Sequence, residues 1–318
     1  MSEKIVFMGT PDFAVESLKQ LIENGENVVG VITSPDRPAG RGQQLRESAV
    51  KQFAVLHKIP LLQPEKLKAE EFITALREIN ADLFVVVAFR MLPEIVWAMP
   101  AKGTINLHGS LLPKYRGAAP INWAVINGDK ETGATTFFIE KKIDTGKIID
   151  NVKILIGEED SAGTIHDKLM VAGATLLTKT VRQIFNGTAK AKDQADLLSE
   201  SELKYAPKIF KPDCKINWDD TTRNIYNKIR GLSPYPAAWT ALQPTEGKIK
   251  SLKIFQTKPI IDGINHVGDI AVKEEGLCFG TKDGWLKIEE LQLEGKKRMP
   301  IEQFIQGFKF DTFSLVIH

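Results

Sequence analysis

The 318-residue chain is poor in cysteine and contains no long apolar run. Its two cysteines, Cys214 and Cys278, are too few for a disulfide framework or a cysteine-based metal cluster. Because no run of about 18 apolar residues occurs, the sequence predicts no membrane-spanning helix. The first residues also lack the basic, apolar and small-residue regions of a secretory signal. We therefore expect a cytoplasmic protein that binds no membrane.

Several motifs of common enzyme classes are missing as well. The segment FMGTPDF (7–13) has one glycine where a dinucleotide fingerprint has three. No phosphate-binding GxxxxGK[ST] loop occurs, and the histidines lack the spacing of metal ligands. The net charge of +2 is too small to indicate a nucleic-acid partner by itself. These absences argue against nicotinamide, triphosphate and metal chemistry.

The first part of the chain alternates strand-like apolar runs with amphipathic helical patterns. KIVFMG (4–9), NVVGVITS (27–34) and LFVVVAF (83–89) predict strands, and DFAVESLKQLIENG (12–25) predicts a helix. This alternation is typical of an α/β fold in which helices cover both faces of a mostly parallel sheet. In such folds, ligands bind outside the carboxyl ends of the strands.

The rest of the chain predicts a second, smaller domain. Residues 163–187 form a long amphipathic helical pattern, with Thr164 and Asp167 as a capping pair at its start. A polar stretch follows, and then short apolar runs are separated by turn residues at the spacing of a β-barrel. The predicted organisation is a first domain over 1–188, a linker over 189–208 and a C-terminal β-barrel over 209–318.

The stretch INLHGSLLPKYRGAAP (105–120) places polar groups at the end of an apolar strand. Side chains alternate along a strand, so Asn106 and His108 point to the same side, under about 7 Å apart along it. Together they can donate hydrogen bonds to an oxygen that becomes negative during a reaction. Structural explanations stay open at this point, because a histidine at a strand end is often part of a core and asparagine often caps a turn.

A third candidate is Asp144, which lies in the turn between two strand-like runs. Aspartate in such a turn is most often a turn former. If it borders the same crevice, its charge would favour protonated His108, and it could accept a proton from an attacking amine. No serine or cysteine occupies a nucleophile elbow. The three residues therefore indicate a reaction in which a substrate supplies the nucleophile and the enzyme stabilises a tetrahedral intermediate.

The segment SPDRPAGRGQQLR (34–46) is a long loop with three arginines, Arg37, Arg41 and Arg46. Loops at the carboxyl edge of a parallel sheet commonly carry binding residues. Three guanidinium groups there would suit phosphates or unstacked nucleotides. A solvated surface loop would have the same composition.

Together these motifs resemble the folate-dependent formyltransferases over essentially the whole chain. HGSLLPKYRGAAP (108–120) followed by DTG (144–146) is similar to the wider family. SPDRPAGRG (34–42) and the C-terminal β region resemble the members that act on methionyl-tRNA. The resemblance implies a Rossmann-like catalytic domain, an OB-like C-terminal barrel, and formyl transfer from 10-formyltetrahydrofolate to the α-amine of initiator methionyl-tRNA. We expect a monomer that needs no metal, because the formyl donor is already activated.

The resemblance also implies roles for individual residues. Asn106, His108 and Asp144 match the catalytic positions of the family. Arg41 matches a position tied to the tRNA acceptor end, and we predict that Arg37 in the same loop contacts tRNA as well. Residues that match or border the folate site are Ser110, Leu111, Leu112, Pro113, Phe89, Arg90, Met91 and Leu92. Arg90 stands where the family usually has glycine, and this segment is shorter than in most members.

Two other functions would share much of this sequence pattern. A formyltransferase that acts on a small amine, such as a ribonucleotide or an amino sugar, would have the same three catalytic residues. A non-catalytic Rossmann-type binding module would have the same fold without the activity.

Overall fold

The computed structural model describes residues 3–39, 44–197, 202–245, 248–273, 276–307 and 313–316. The chain divides into two compact units, and neither is one continuous stretch. The first unit comprises residues 1–117, 132–154 and 166–205, and the second comprises 118–131, 155–165 and 206–318. The domain limits at 188 and 208 stay a prediction.

The first eleven strands lie before residue 207. In chain order they are β1 (Ile5–Gly9), β2 (Val28–Ile32), β3 (Arg37–Ala39), β4 (Gln44–Arg46), β5 (Leu61–Leu62), β6 (Leu83–Val87), β7 (Thr104–His108), β8 (Arg116–Gly117), β9 (Glu131–Phe138), β10 (Ile148–Leu155) and β11 (Tyr205–Ala206). Seven of them form one sheet in the order β10-β9-β7-β6-β1-β2-β5. The pairs β5–β2, β2–β1, β1–β6 and β6–β7 are parallel, and β9 runs antiparallel to β7.

This sheet confirms the predicted α/β class. The central parallel strands β1 and β6 are apolar runs, as expected for strands that are covered on both faces. All five residues of β1 and all five of β6 are buried. Strands β2 and β5 follow β1 on one side of the sheet, and β6 and β7 lie on its other side. The strand order therefore reverses between β1 and β6, which is the switch point where ligands bind in such folds.

The helices begin and end at positions that the local sequence explains. Their bounds are α1 (Asp12–Glu23), α2 (Ala49–Leu56), α3 (Glu70–Ile79), α4 (Glu94–Trp97), α5 (Pro120–Ile126), α6 (Ala162–Phe185), α7 (Thr222–Leu232) and α8 (Ile301–Ile305). Ser48 caps α2 by accepting a hydrogen bond from the N–H of Lys51, and Thr221 caps α7 in the same way. In α1, Phe13, Leu18 and Leu21 are buried along one stripe.

The start of α6 differs from the prediction. The helix begins at Ala162, and the Oγ of Ser161 accepts a hydrogen bond from the N–H of Thr164 at 3.1 Å. Ser161 is therefore the capping residue, and the predicted role of Thr164 was wrong. Both residues have hydroxyl side chains within one turn, and the sequence pattern alone does not separate them.

The second unit carries the antiparallel part of the fold. Its strands are β12 (Ala238–Pro244), β13 (Lys250–Ile261), β14 (Ile270–Lys273), β15 (Gly276–Thr281), β16 (Gly284–Leu293), β17 (Met299–Pro300) and β18 (Phe313–Val316). They form a sheet in the order β14-β15-β16-β13-β12-β18, and β17 pairs with β16. The register of the β13–β16 ladder shifts on both sides of Gln256. Such irregularities bend a strand, and the sheet curls into a half-barrel.

The core of the second unit is built around Trp218, which is fully buried. Its indole N–H donates to the Oγ1 of Thr240 at 2.9 Å, and its ring meets Phe279 edge-on at 5.4 Å. Burying such an aromatic side chain stabilises a fold by roughly 1.5–3 kcal/mol, provided that its polar atom finds a partner. The predicted C-terminal β domain thus has a core of its own.

Among the residues that the structure describes, no helix combines the length and the apolar character that crossing a membrane requires.

Candidate active site

Strand β7 brings Asn106 and His108 to the carboxyl edge of the sheet. In the ladders, Asn106 lies opposite Val86 of β6 and Phe137 of β9, and His108 lies opposite Thr135. The side chain of Asn106 is half-buried and makes no hydrogen bond to any residue that the structure describes. An amide with two donors is therefore free to bind a substrate oxygen.

The imidazole of His108 is buried and held by the backbone. Its Nε2 lies 2.8 Å from the carbonyl oxygen of Tyr115. A carbonyl oxygen only accepts hydrogen bonds, so Nε2 carries a proton and donates it. The edge of the ring meets the Phe137 ring at 6.5 Å between centroids. These contacts fix the ring plane and leave Nδ1 on the side of Asp144.

Asp144 lies next to His108. Its Oδ2 lies 3.9 Å from Nδ1 of His108, and both side chains are nearly buried, at 13% and 8% exposure. This distance permits an ion pair but is too long for a direct hydrogen bond. The same Oδ2 accepts a hydrogen bond from the N–H of Gly117 at 3.0 Å. The structure therefore brings His108 and Asp144 together, and Asn106 lies two residues before His108 on the same strand. We call these three residues the polar triad.

The turn that carries Asp144 has an unusual backbone. Asp144 has φ = +53°, a left-handed conformation that costs most residues energy. Two residues later, a Cβ on Gly146 would collide with the carbonyl oxygen of Phe138. Only glycine fits there, and this explains why the DTG motif ends in glycine.

Gln194, which was not predicted from the sequence, stabilises this turn by hydrogen bonds. Gln194 is 3% exposed and donates hydrogen bonds from Nε2 to the carbonyl oxygens of Asp144 and Gly146, at 3.0 and 2.8 Å. Its Oε1 accepts two hydrogen bonds from Arg116, at 3.0 and 2.7 Å. Gln194 lies in the segment that was predicted to be a linker.

The predicted folate loop Ser110–Pro113 is mostly turned inward. Ser110 is fully buried, and its Oγ donates to the carbonyl oxygen of Lys114 at 2.7 Å. Leu112 and Pro113 are also buried, whereas Leu111 is half-buried. Ser110 and Leu112 therefore stabilise the loop by their own contacts, and Leu111 retains an accessible side chain.

Thr135 of β9 anchors this loop, and the sequence analysis did not single it out. Its hydroxyl donates to the carbonyl oxygen of Ser110 at 2.6 Å and accepts from the N–H of Leu112 at 3.1 Å. Thr135 is fully buried. Beside it, a Cβ on Gly133 would collide with Leu111 and with the backbone of Val152. The sequence TGATT thus reflects a tight fit between β9, β10 and the loop.

The segment Phe89–Leu92 follows the carboxyl end of β6. Phe89 is half-buried and Leu92 is buried against the sheet, whereas Met91 is 77% exposed. The guanidinium of Arg90 donates to the carbonyl oxygens of Pro64 and Glu65, at 2.7 and 3.1 Å.

Arg90 also lies close to the predicted tRNA loop. Partial burial and, after it, the charge of nearby Arg37 lower the pKa of Arg90 below its usual value. Arg37 itself is exposed in the hairpin of β3 and β4. The structure therefore brings the Arg37 and Arg90 segments to the same edge of the sheet. Arg41 lies outside the described residues.

The base of this hairpin is fixed by charged and polar contacts. Lys51 forms an ion pair with Asp36, and Gln63 donates to the other carboxylate oxygen of Asp36 at 2.8 Å. These hydrogen bonds, first from Lys51 and then from Gln63, lower the pKa of Asp36. Arg37 thus follows directly after an anchored residue.

The geometry supports a specific kind of chemistry. A half-buried amide and a buried imidazole lie two residues apart on one strand, and the imidazole lies 3.9 Å from a carboxylate. The first two can hold an oxygen on which negative charge develops, and the third can accept a proton. In the described part of the chain, no group of three or more histidine, cysteine, aspartate or glutamate side chains is placed to hold a metal ion.

The sequence profiles of two families match the chain. The family described as formyl transferase matches residues 3–181, and the family described as formyl transferase, C-terminal domain, matches residues 208–309. The first match contains the whole polar triad.

Individual relatives agree with these profiles. A methionyl-tRNA formyltransferase from Bacteroides thetaiotaomicron is 53% identical over 308 residues, which is 96% of each chain. One from Parabacteroides distasonis is 56% identical over 310 residues, again 96% of each chain. The crystal structure of an N-formyltransferase from Helicobacter canadensis with folinic acid and dTDP-3-aminofucose has a TM-score of 0.61 at 22% identity, covering 93% of this chain and 100% of that one.

Proposed function

The chain belongs to the formyl transferase family, and from this we propose that it transfers a formyl group from 10-formyltetrahydrofolate to the α-amine of methionine on initiator tRNA. One observation carries the proposal. Relatives named methionyl-tRNA formyltransferase share more than half of their residues with this chain over nearly its whole length. Both units of the structure are included in that similarity.

Asn106 and His108 stabilise the oxygen of the formyl group. Because Nε2 of His108 already donates to Tyr115, its remaining donor is Nδ1 of the charged ring. That N–H and the amide of Asn106 converge on the oxygen as the amine attacks and the carbon becomes tetrahedral. Each donor of this kind typically contributes about 10²–10³ in rate.

Asp144 accepts the proton of the attacking amine and later releases it. The amine forms a bond to the formyl carbon and loses a proton, which Asp144 accepts. The proton then passes to N10 of the folate as its bond to the formyl carbon breaks, so that Asp144 is regenerated. At 3.9 Å the carboxylate and His108 form no direct hydrogen bond to each other, so neither group occupies the other's hydrogen-bonding position. The mechanism uses no metal ion.

The folate co-substrate fits the open edge beside β6 and β7. Phe89 and Leu111 are half-buried there and offer apolar surface for a flat ring. Arg90, Met91 and Leu92 border the same place through the segment after β6, and Ser110 and Pro113 contribute through the loop backbone. The co-substrate supplies the activated formyl group, and these residues hold and orient it.

The tRNA is held by positive charge near the site and by the second unit. Arg37 is exposed in β3, and Arg41 follows it four residues later in the sequence. Phosphate contacts from such side chains make binding depend steeply on salt. The enzyme acts as a monomer in the cytoplasm, where aminoacylated tRNA is available.

A formylation assay tests the proposal directly. The chain is supplied with 10-formyltetrahydrofolate and with methionyl initiator or elongator tRNA, and the formylated product is measured. We expect rapid transfer to the initiator and slower transfer to the elongator. No transfer to either tRNA would contradict the proposal.

An amino sugar is the alternative acceptor. Sugar-acting relatives of known structure align with 93% of this chain, so the presence of a second unit does not by itself exclude a small substrate. The same assay with a nucleotide-linked amino sugar distinguishes the two. Turnover of the sugar without turnover of the tRNA would favour the alternative.

A further inference from the structure

Gln194 is buried where the surrounding sequence is polar. It begins the short helical turn Gln194–Asp196, and every other residue of 190–197 is exposed. A backbone bridge between Ile148 and Lys192, at 2.9 and 2.8 Å, fixes the chain just before it. Burying a polar side chain without hydrogen-bond partners costs about 1–3 kcal/mol. The hydrogen bonds of Gln194 therefore explain why this side chain can be buried.

The amide of Gln194 uses all of its hydrogen-bonding capacity. Its two N–H groups donate to the carbonyl oxygens of Asp144 and Gly146, and its oxygen accepts two hydrogen bonds from Arg116. An amide has two donors and two acceptor positions, and all four are occupied. No other uncharged side chain of this length supplies two donors and an acceptor here.

These contacts form a closed ring that reaches Asp144 from two sides. Gln194 binds the backbone carbonyl of Asp144, and it also binds Arg116. Arg116 precedes Gly117, whose N–H donates to the Asp144 carboxylate. The ring therefore fixes both the main chain and the side chain of Asp144.

We propose that Gln194 is a positioning residue that holds the Asp144 carboxylate at its distance from His108. The left-handed backbone of Asp144 needs external support, because such a conformation persists only where surrounding contacts impose it. Displacing a reacting group by about 1 Å can cost roughly 10² in rate. This inference rests on the proposed function, in which Asp144 accepts a proton from the amine.

Gln194→Glu is the most informative variant. It keeps the length of the side chain and can still accept from Arg116, but its carboxylate has no N–H and repels the two carbonyl oxygens. We expect kcat for methionyl-tRNA to fall about 10- to 100-fold. The KM values for tRNA and folate should change little, because the residue contacts neither substrate.

The pH dependence separates positioning from general destabilisation. A protonated carboxyl regains one donor, so the ratio of variant kcat to parent kcat should rise as the pH falls toward about 5. The exposed Gln52 of α2 offers a matched control, since Gln52→Glu makes the same chemical change on the surface of the same unit. It should leave kcat and the pH profile unchanged.

Gln194→Met covers the case in which the charged variant does not fold. It has similar volume and no hydrogen bonds to the turn, so it should lose kcat without recovery at low pH. A folded Glu or Met variant with parental kcat would overturn the inference, as would a loss confined to KM. If the parent itself fails to formylate methionyl-tRNA, the proposed function fails instead, and that result is read before any variant is made.

Discussion

The end of strand β7 and the segment after strand β6 lie at the same edge of the sheet but are held in different ways. At the end of β7, His108 and Ser110 are buried and hydrogen-bonded to the backbone. After β6, Met91 is 77% exposed, and the guanidinium of Arg90 reaches out to two carbonyl oxygens of a neighbouring loop. The first region is held by hydrogen bonds within the loop and to Thr135, whereas the second is held by the burial of Leu92 and by the hydrogen bonds of one long side chain.

This difference suits the two tasks of the site. Reacting groups must keep their geometry within a fraction of an ångström, because small displacements cost large factors in rate. A segment that contacts the broad face of a substrate tolerates more change. Arg90 lies in the tolerant region. Substitutions in the two regions should therefore differ in size and in the kinetic constant that they affect.

The largest effect is expected at the end of β7. Asn106→Ala and His108→Ala each remove one donor to the developing oxyanion, so kcat should fall by about 10²–10³ while the KM values change little. Steady-state formylation of methionyl-tRNA measures both constants. Thermal unfolding of each variant serves as the control for folding. Loss of one donor with kcat retained would show that the oxygen is held elsewhere.

The second-largest effect is expected for Gly146→Ala. The new Cβ would collide with the carbonyl oxygen of Phe138, so the turn must shift. We expect a loss of about 1–3 kcal/mol in the free energy of unfolding, measured with urea. A fall in kcat of at least about tenfold should accompany it, because Asp144 moves with the turn.

Gly307→Ala is the matched control for this substitution. No atom of the described residues lies within 4 Å of a Cβ at that position, so neither stability nor kcat should change. Parental kcat in Gly146→Ala would mean that the position of Asp144 does not matter.

A smaller effect is expected after β6. Arg90→Ala removes the hydrogen bonds to Pro64 and Glu65, and the segment then moves more freely. We expect KM for the formyl donor to rise by less than about tenfold, which corresponds to less than about 1.4 kcal/mol, with kcat unchanged. Arg77→Ala, on the exposed side of α3, is the control. A fall in kcat larger than that of Asn106→Ala would reverse the proposed division of tasks.

The smallest effect is expected in the hairpin of β3 and β4. Arg37→Ala removes one exposed positive charge near the tRNA. The slope of log KM for tRNA against log salt concentration should decrease by about 0.7–0.9, the value for one phosphate contact. An unchanged slope would remove Arg37 from the tRNA site.

Much of the site could be predicted from the sequence because its signals are local. The alternation of side chains along a strand places Asn106 and His108 on one side, and the structure confirms that arrangement. The end of an apolar run marks the edge of the sheet where ligands bind. Antiparallel strands with frequent turns identify the second unit in the same way. The catalytic roles of these residues stay a proposal.

Gln194 could not be predicted because its role is entirely long-range. It contacts residues 48 to 78 positions away, and its polar neighbours are typical of a solvated linker. Thr135 is similar, since a threonine in a strand ordinarily only favours β structure. The pattern of polar residues in a sequence does not show which of them is buried. Three-dimensional contacts alone reveal that the turn at Asp144 is supported from the predicted linker.

The most direct test of the account is a crystal structure of the chain with a 10-formyl folate analogue. The proposed mechanism predicts that the formyl oxygen lies about 2.7–3.1 Å from the amide nitrogen of Asn106 and from Nδ1 of His108. It also predicts that the carboxylate of Asp144 faces the side from which an amine would attack. A formyl group bound away from these three side chains would contradict the account.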